Sequence, residues 1–200
     1  MAVKRPMPHT HDYDIEKYKE IYLPLQGFAS FGVAGATDGT DALDSFGNAG
    51  TDAATMTEAG SSTISGFRFV DAGTDISVLL PIPYDMDIKS EMKVSVLWSS
   101  DQTTTTDTVT WKILYTELTM NTTALAIGAT ALSTAITADT NVAAANAIQQ
   151  TAWGVLNGNT LTHGRSLVLT LECDAVSGAT LSSDKIIAYG LVIRYVRRAL

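Results

Sequence analysis

Two runs in the middle of the chain alternate, keeping one face wholly apolar and the other mostly polar. Residues 91–99 set Met92, Val94, Val96 and Trp98 on one face, with Lys93 and Ser95 on the other. Residues 108–118 repeat the device, with Val109, Trp111, Ile113 and Tyr115 inward and Thr110, Lys112 and Thr116 outward. A period of two marks a strand with one face in a core and the other in water, and it is incompatible with a helix. Asp101 to Asp107 between the runs is wholly polar and too long for a two-residue turn. The two runs are therefore expected to be antiparallel neighbours joined by a solvent loop.

Further runs follow the same rule. Ile76 to Ile82 is continuously strand-like and is closed by Pro83, while Leu167, Leu169, Leu171 and Cys173 share one face. The run from Lys185 is apolar on both faces until Arg194. Strict alternation sets Ile187, Tyr189, Leu191 and Ile193 together, which marks a central strand or a strand whose outer face meets another subunit. Between these runs, residues 124–150 are rich in Ala and Thr. A weak helix from Thr140 to Gln150, capped by Asp139 or Thr140, is expected there, the alternative being an irregular excursion between strands. Seven or eight short strands leave no room for crossover helices, so the expected fold is an all-β antiparallel β-sandwich. Long, uneven loops favour a jelly-roll-like form over an immunoglobulin-like one. Val94, Val96, Trp98, Trp111, Ile113, Leu169 and Cys173 are its expected core.

The first sixty-three residues read differently, which divides the chain into an extended N-terminal arm, 1–63, and a sandwich, 64–200. Ile15, Tyr18 and Tyr22 fall at i, i+3 and i+7, a spacing for a short helix from Asp12 or Asp14 that Pro24 would stop. From Gly27 to Gly66 the chain is rich in Gly, Ala, Thr, Ser and Asp, with Phe28, Phe31, Phe46 and Met56 spaced through it as isolated apolar anchors. Ordering a residue costs about 1–2 kcal/mol of backbone entropy, which a few anchors cannot offset within a monomer. The arm is thus expected to lie on a partner surface, with those four side chains at the interface.

Composition narrows the function. Two hundred residues suit one domain, and 17% charged residues against 46% hydrophobic is a low charge fraction that favours association. A formal net charge of −8 argues against direct nucleic-acid binding. No apolar run is long enough to span a bilayer, and no apolar stretch follows Lys4 and Arg5 as a secretory signal requires. The single cysteine, Cys173, excludes an intrachain disulfide framework.

Candidate chemistry is sparse. His9 and His11 point the same way in an extended segment and, with Asp12 and His163, form the nearest thing to a metal set, although solvent-facing histidines are the simpler account. Asp85 and Asp87, or Asp38, Asp41 and Asp44, carry oxygen ligands for calcium but lack the twelve-residue loop pattern, so solvated acidic loops are the simpler account. Cys173 with His163 invites a nucleophile, but its strand phase makes it a small buried hydrophobe. Asn121-Thr-Thr123 matches a glycosylation acceptor. Arg194, Arg197 and Arg198 form a basic tail suited to carboxylates. No nucleophile elbow, zinc-protease motif or phosphate loop is present, so no enzyme, metal or cofactor is expected.

The segment Leu80-Pro-Ile-Pro-Tyr-Asp85, the pair EMKVSVLWSS and DTVTWKILY, and the closing AYGLVIRYVRR resemble small jelly-roll structural proteins of tailed-bacteriophage virions, particularly those that decorate or cement a capsid. The resemblance covers roughly residues 64–200. It implies a non-enzymatic homotrimer, made in the host cytoplasm and seated on the virion surface against the major capsid protein, with residues 1–63 contacting neighbours. The same pattern serves phage tail or fibre proteins and host-surface carbohydrate-binding adhesins, which is the alternative. A carbohydrate-active module would need a carboxylate pair across a cleft.

Overall fold

The computed structural model describes residues 18–24, 55–58, 65–69, 75–119, 130–156, 160–178 and 186–198. Their strands are β1 (Tyr18–Pro24), β2 (Thr55–Glu58), β3 (Ser65–Arg68), β4 (Asp75–Pro81), β5 (Met92–Ser100) and β6 (Thr108–Leu118). They continue as β7 (Thr130–Ala131), β8 (Asp139–Thr140), β9 (Gln149–Gln150), β10 (Gly154–Leu156), β11 (Ser166–Ser177) and β12 (Ile186–Val196). All pairings among them are antiparallel and form two sheets. The first runs β10-β5-β12-β3-β2, with β1 also on β12 and β9 on β5. The second runs β4-β11-β6-β7, with β8 also on β6. The sheets pack face to face as a sandwich, and the pairs β3·β12, β4·β11, β5·β10 and β6·β7 are nested one inside the next.

Period-two patterning builds one core between the sheets. Val94, Val96 and Trp98 of β5 meet Trp111 and Ile113 of β6 and Leu169 and Cys173 of β11, all buried. The Trp98 and Trp111 rings meet edge-on at 6.2 Å, and Phe69 packs edge-on against Trp111 at 5.2 Å. This corrects the expected hairpin, because β5 and β6 lie in opposite sheets and residues 101–107 cross the sandwich. Seven residues easily span the roughly 10 Å between packed sheets. The crossing is held by Asn141, whose side-chain nitrogen donates to the Gln102 carbonyl at 2.9 Å and the Thr104 carbonyl at 3.3 Å. Its side-chain oxygen accepts from the Ser100 hydroxyl at 2.9 Å.

Asn141 also explains why the expected helix at 140–150 is absent. The chain forms β8, turns through Asn146 in the left-handed region (φ 60°), and enters β9. The Asn146 amide donates to the Ser100 carbonyl at 2.6 Å. Alanine's modest helix preference yields to these tertiary hydrogen bonds.

The strand β12 lies between β5 on one side and β1 and β3 on the other. A bulge at Tyr189 shifts its register against β5 between Ala188 and Gly190. The extra residue reverses the phase. Ile187 and Tyr189 consequently face outward, packed with Leu97, while Leu191 and Ile193 enter the main core. The four residues that strict alternation sets on one face are thereby split between two. Ile187 and Tyr189 are themselves buried, Tyr189 to 2% exposure, and its hydroxyl hydrogen-bonds that of Ser99 at 2.8 Å.

The described part of the expected N-terminal helix is instead a strand. Tyr18–Pro24 pairs with β12 from Tyr18↔Val196 to Pro24↔Gly190, with Leu23 in the core and Tyr18 and Tyr22 exposed. Aromatic and β-branched residues beside an open strand edge favour this outcome over a lone short helix. Two stretches of the expected arm, β1 and β2, therefore belong to the same sheet as β12 and β3. Phe28, Phe31 and Phe46 lie outside the described residues. Met56 is described only by its backbone, which pairs with Phe67.

Gly190 is where β1 seats. A Cβ there would meet the Tyr22 ring and lie 2.7 Å from the Leu23 carbonyl. Gly190→Ala should therefore push β1 off β12 and cost about 1–3 kcal/mol in urea unfolding. An unchanged midpoint would show that β1 does not rest on this glycine.

Candidate functional site

The inward row of β1 ends at Lys19, which reaches Asp85 in the connection between β4 and β5. Lys19 Nζ and Arg197 Nε each lie 3.3 Å from Asp85 Oδ2, and the Tyr195 hydroxyl donates to Asp85 Oδ1 at 2.8 Å. The main chain joins in, with the Arg198 amide donating to the Asp85 carbonyl at 2.7 Å and the Asp87 amide to the Val196 carbonyl at 2.8 Å. One carboxylate thus ties β1, the end of β12 and the 82–91 connection together. The Tyr195 hydroxyl, with help from Lys19, holds the Asp85 carboxyl below its ordinary range. The Lys19 ammonium is shifted up by Tyr195 and Asp85. Burial, then Asp85, pushes the Tyr195 phenol up.

Beside this hub, on the outer face of the first sheet, Arg194 Nε donates to Glu20 Oε1 at 2.7 Å, and its guanidinium lies 4.3 Å over the Trp153 ring. Lys93 is the cross-strand neighbour of Arg194. A cleft of about 220 Å³ opens here, walled by Tyr18, Ser90, Glu91, Lys93, Arg194 and the end of β12.

The sequence candidates disperse. His163 Nε2 is 2.8 Å from the Met86 carbonyl and braces two connections, while His9, His11 and Asp12 lie outside the described residues. Among the described residues no three His, Cys, Asp or Glu side chains are grouped to hold a metal. The Asp85 oxygens are occupied by two cations and a hydroxyl, and Asp87 Oδ1 accepts the Lys89 amide at 3.0 Å. Asp85 and Asp87 are thus a salt-bridge latch and a turn. Asp38, Asp41, Asp44 and Asn121 lie outside the described residues. Of the basic tail, Arg194 and Arg197 are paired with Glu20 and Asp85. Cys173 sits opposite Trp111 in the core, where burial, then Asp174 and Glu172, pushes its thiol up to about 12. A thiol so protonated at neutral pH is not a nucleophile.

The hub and the cleft were not legible in the sequence, since Lys19, Asp85 and Tyr195 come from three separate segments. The Trp98 indole N–H, which donates to Asp139 Oδ2 at 2.8 Å, was missed for the same reason. Desolvation raises the Asp139 carboxyl despite that bond. No helix among the described residues is long and apolar enough to cross a membrane. No protein-family model and no curated protein matches the chain.

Two outcomes follow from the protonation states. Because Asp85 is depressed in the fold, its contribution is present above the ordinary carboxylate pKa of about 4 and is lost as pH falls through the lower folded value. Asp85→Asn should be less stable than the parent at neutral pH, and the gap should close in acid; a gap independent of pH would remove the carboxylate from the latch. Separately, Cys173 should resist a disulfide-exchange reagent in the folded protein and react fully in denaturant, and fast native labelling would contradict its burial.

Proposed function

We propose that this chain is a jelly-roll structural protein of a tailed-bacteriophage virion that decorates or cements the capsid shell as a trimer, without catalysis. The observation that carries the proposal is the nested pairing β3·β12, β4·β11, β5·β10 and β6·β7. Such nesting arises when one long hairpin of paired strands is folded over itself, which is how a jelly roll is wound. The N-terminal segment adds support. Its strands β1 and β2 are both built into the sheet. Phe28, Phe31 and Phe46 lie between β1 and β2 in the sequence and would enter pockets on neighbouring capsomers, as isolated apolar anchors require.

Sedimentation equilibrium at micromolar concentration should report about three times 21.2 kDa. Purified shells of the phage whose genome encodes the chain should co-sediment it saturably, and Phe28→Ala/Phe31→Ala/Phe46→Ala should bind at least about tenfold more weakly. A monomer that ignores the shells would overturn the proposal.

A further inference from the structure

Resting on the trimeric reading proposed above, we infer that the sandwich edge formed by residues 130–150 is the surface through which copies of this chain join one another head to tail. The segment lies along the open side of both sheets. Its strands β7 and β8 pair with β6 in the second sheet, and β9 pairs with β5 in the first. Residues 141–148 cross between them, and the Asn146 amide fixes the crossing on the Ser100 carbonyl at 2.6 Å. Across the whole chain 17% of residues are charged, yet between Glu117 and Arg165 the sequence holds one charged residue, Asp139. That carboxylate is turned to the Trp98 indole N–H at 2.8 Å. What the crossing leaves in solvent is Ala143, Ala144 and Ala145, with Val142 at 36% and Ile148 at 50% exposure.

Charge selects the occupant. A chain of formal net charge −8 repels its own copies wherever charged faces meet. A basic partner would gain most on an acidic surface, whereas a like-charged one approaches at least cost where charge is absent. Another copy is always like-charged, so this uncharged segment favours it, and the cores of protein interfaces are similarly depleted in charge. The charged junction of β1 with β12 lies away from this edge, across β5 and β12. The edge also has two unlike flanks. The one on β6 presents Thr130, Ala131 and Thr140, and the one approaching β5 presents Ala144, Ala145 and Ile148. Seating one flank on the other flank of the next copy is a heterologous contact, which closes as a ring and not as a two-fold dimer. On either side of Ile148, Asn146 Oδ1 and Gln149 Nε2 are shut off from solvent with no hydrogen-bond partner. Both residues are only half-buried, so turning these amides outward offers an acceptor and a donor to the backbone of a neighbour seated on Ile148.

Sedimentation equilibrium of the full chain over a micromolar concentration series tests the edge. Ile148→Asp and Ala144→Glu each set a like charge at an exposed position. Each should weaken self-association at least about tenfold while the strand signal in circular dichroism is kept. Leu79→Asp is the control, since Leu79 is 45% exposed but lies on β4, at another place in the second sheet, and it should associate as the parent does. Hydrogen exchange on the unaltered chain needs no substitution, and the amides of 141–150 should gain protection between the dilute and the associated sample. A parent that stays monomeric or stops at a dimer overturns the inference. So do edge variants that associate like the parent, a segment 141–150 that gains no protection, or edge variants that lose shell attachment alone, which would turn this face toward the shell. Co-sedimentation with shells is read separately, so a monomer that still saturates them refutes this edge and leaves the virion reading standing.

Discussion

The contact between Trp98 and Trp111 across the sandwich sets the terms for everything around it. Two large rings from opposite sheets meet edge-on, with Phe69 against the second, and they fill the space between β5 and β6. Aromatic pairs in this geometry contribute about 0.5–1.5 kcal/mol beyond the area they bury. Their larger effect is positional. The Trp98 indole N–H needs an acceptor, and Asp139 supplies it, which draws the 130–150 segment over the sandwich edge. Asn141, two residues on, then satisfies the carbonyls of the crossing loop. A buried polar group without a partner costs about 1–3 kcal/mol, so these bonds fix the path of the connection that carries the chain between sheets.

At the other side of the first sheet, one inserted residue does comparable work. The bulge at Tyr189 turns Leu191, Ile193 and Tyr195 toward the core and leaves Gly190 bare beneath Tyr22. Only a residue without a side chain lets β1 lie so close. The bulge therefore delivers Tyr195 to Asp85 and opens the seat for the strand that brings Lys19. Tyr22 returns the interaction by donating its hydroxyl to the Tyr189 carbonyl at 3.3 Å. The latch, the cleft and the placement of the N-terminal segment all depend on this local break in alternation.

Charge is distributed in keeping with that arrangement. The chain is acidic overall, yet Lys19, Arg194 and Arg197 converge with Glu20 and Asp85 where β1 meets the end of β12. These pairs are partly exposed and so add little stability individually. Their role is alignment, since each ties one strand to another and none is local in sequence. The cleft next to them has Arg194, held by Glu20, in its wall, with Lys93 and Glu91 also lining it.

Alternation along β5, β6 and β11 settled which side of each of these strands is buried. Val94, Val96 and Trp98, Trp111 and Ile113, and Leu169 and Cys173 all lie where a period of two puts them, because that period follows from backbone pleating alone. The absence of room for crossover helices likewise determined an antiparallel, all-β architecture. Which strands become neighbours was decided by tertiary structure. A strand with one apolar face is equally content beside or opposite its sequence neighbour, so β5 and β6 looked like a hairpin and became opposite walls. At Tyr18 and Tyr22 the helix spacing lost to an open edge on β12, and the split of Ile187 and Tyr189 from Leu191 and Ile193 followed from a bulge that no pattern announces. Sequence periodicity encodes the burial of a face, which is local. Partner choice, register breaks and the meeting of Lys19, Asp85 and Tyr195 are set by contacts between residues far apart in the chain, whose energies exist only once the sheets have assembled.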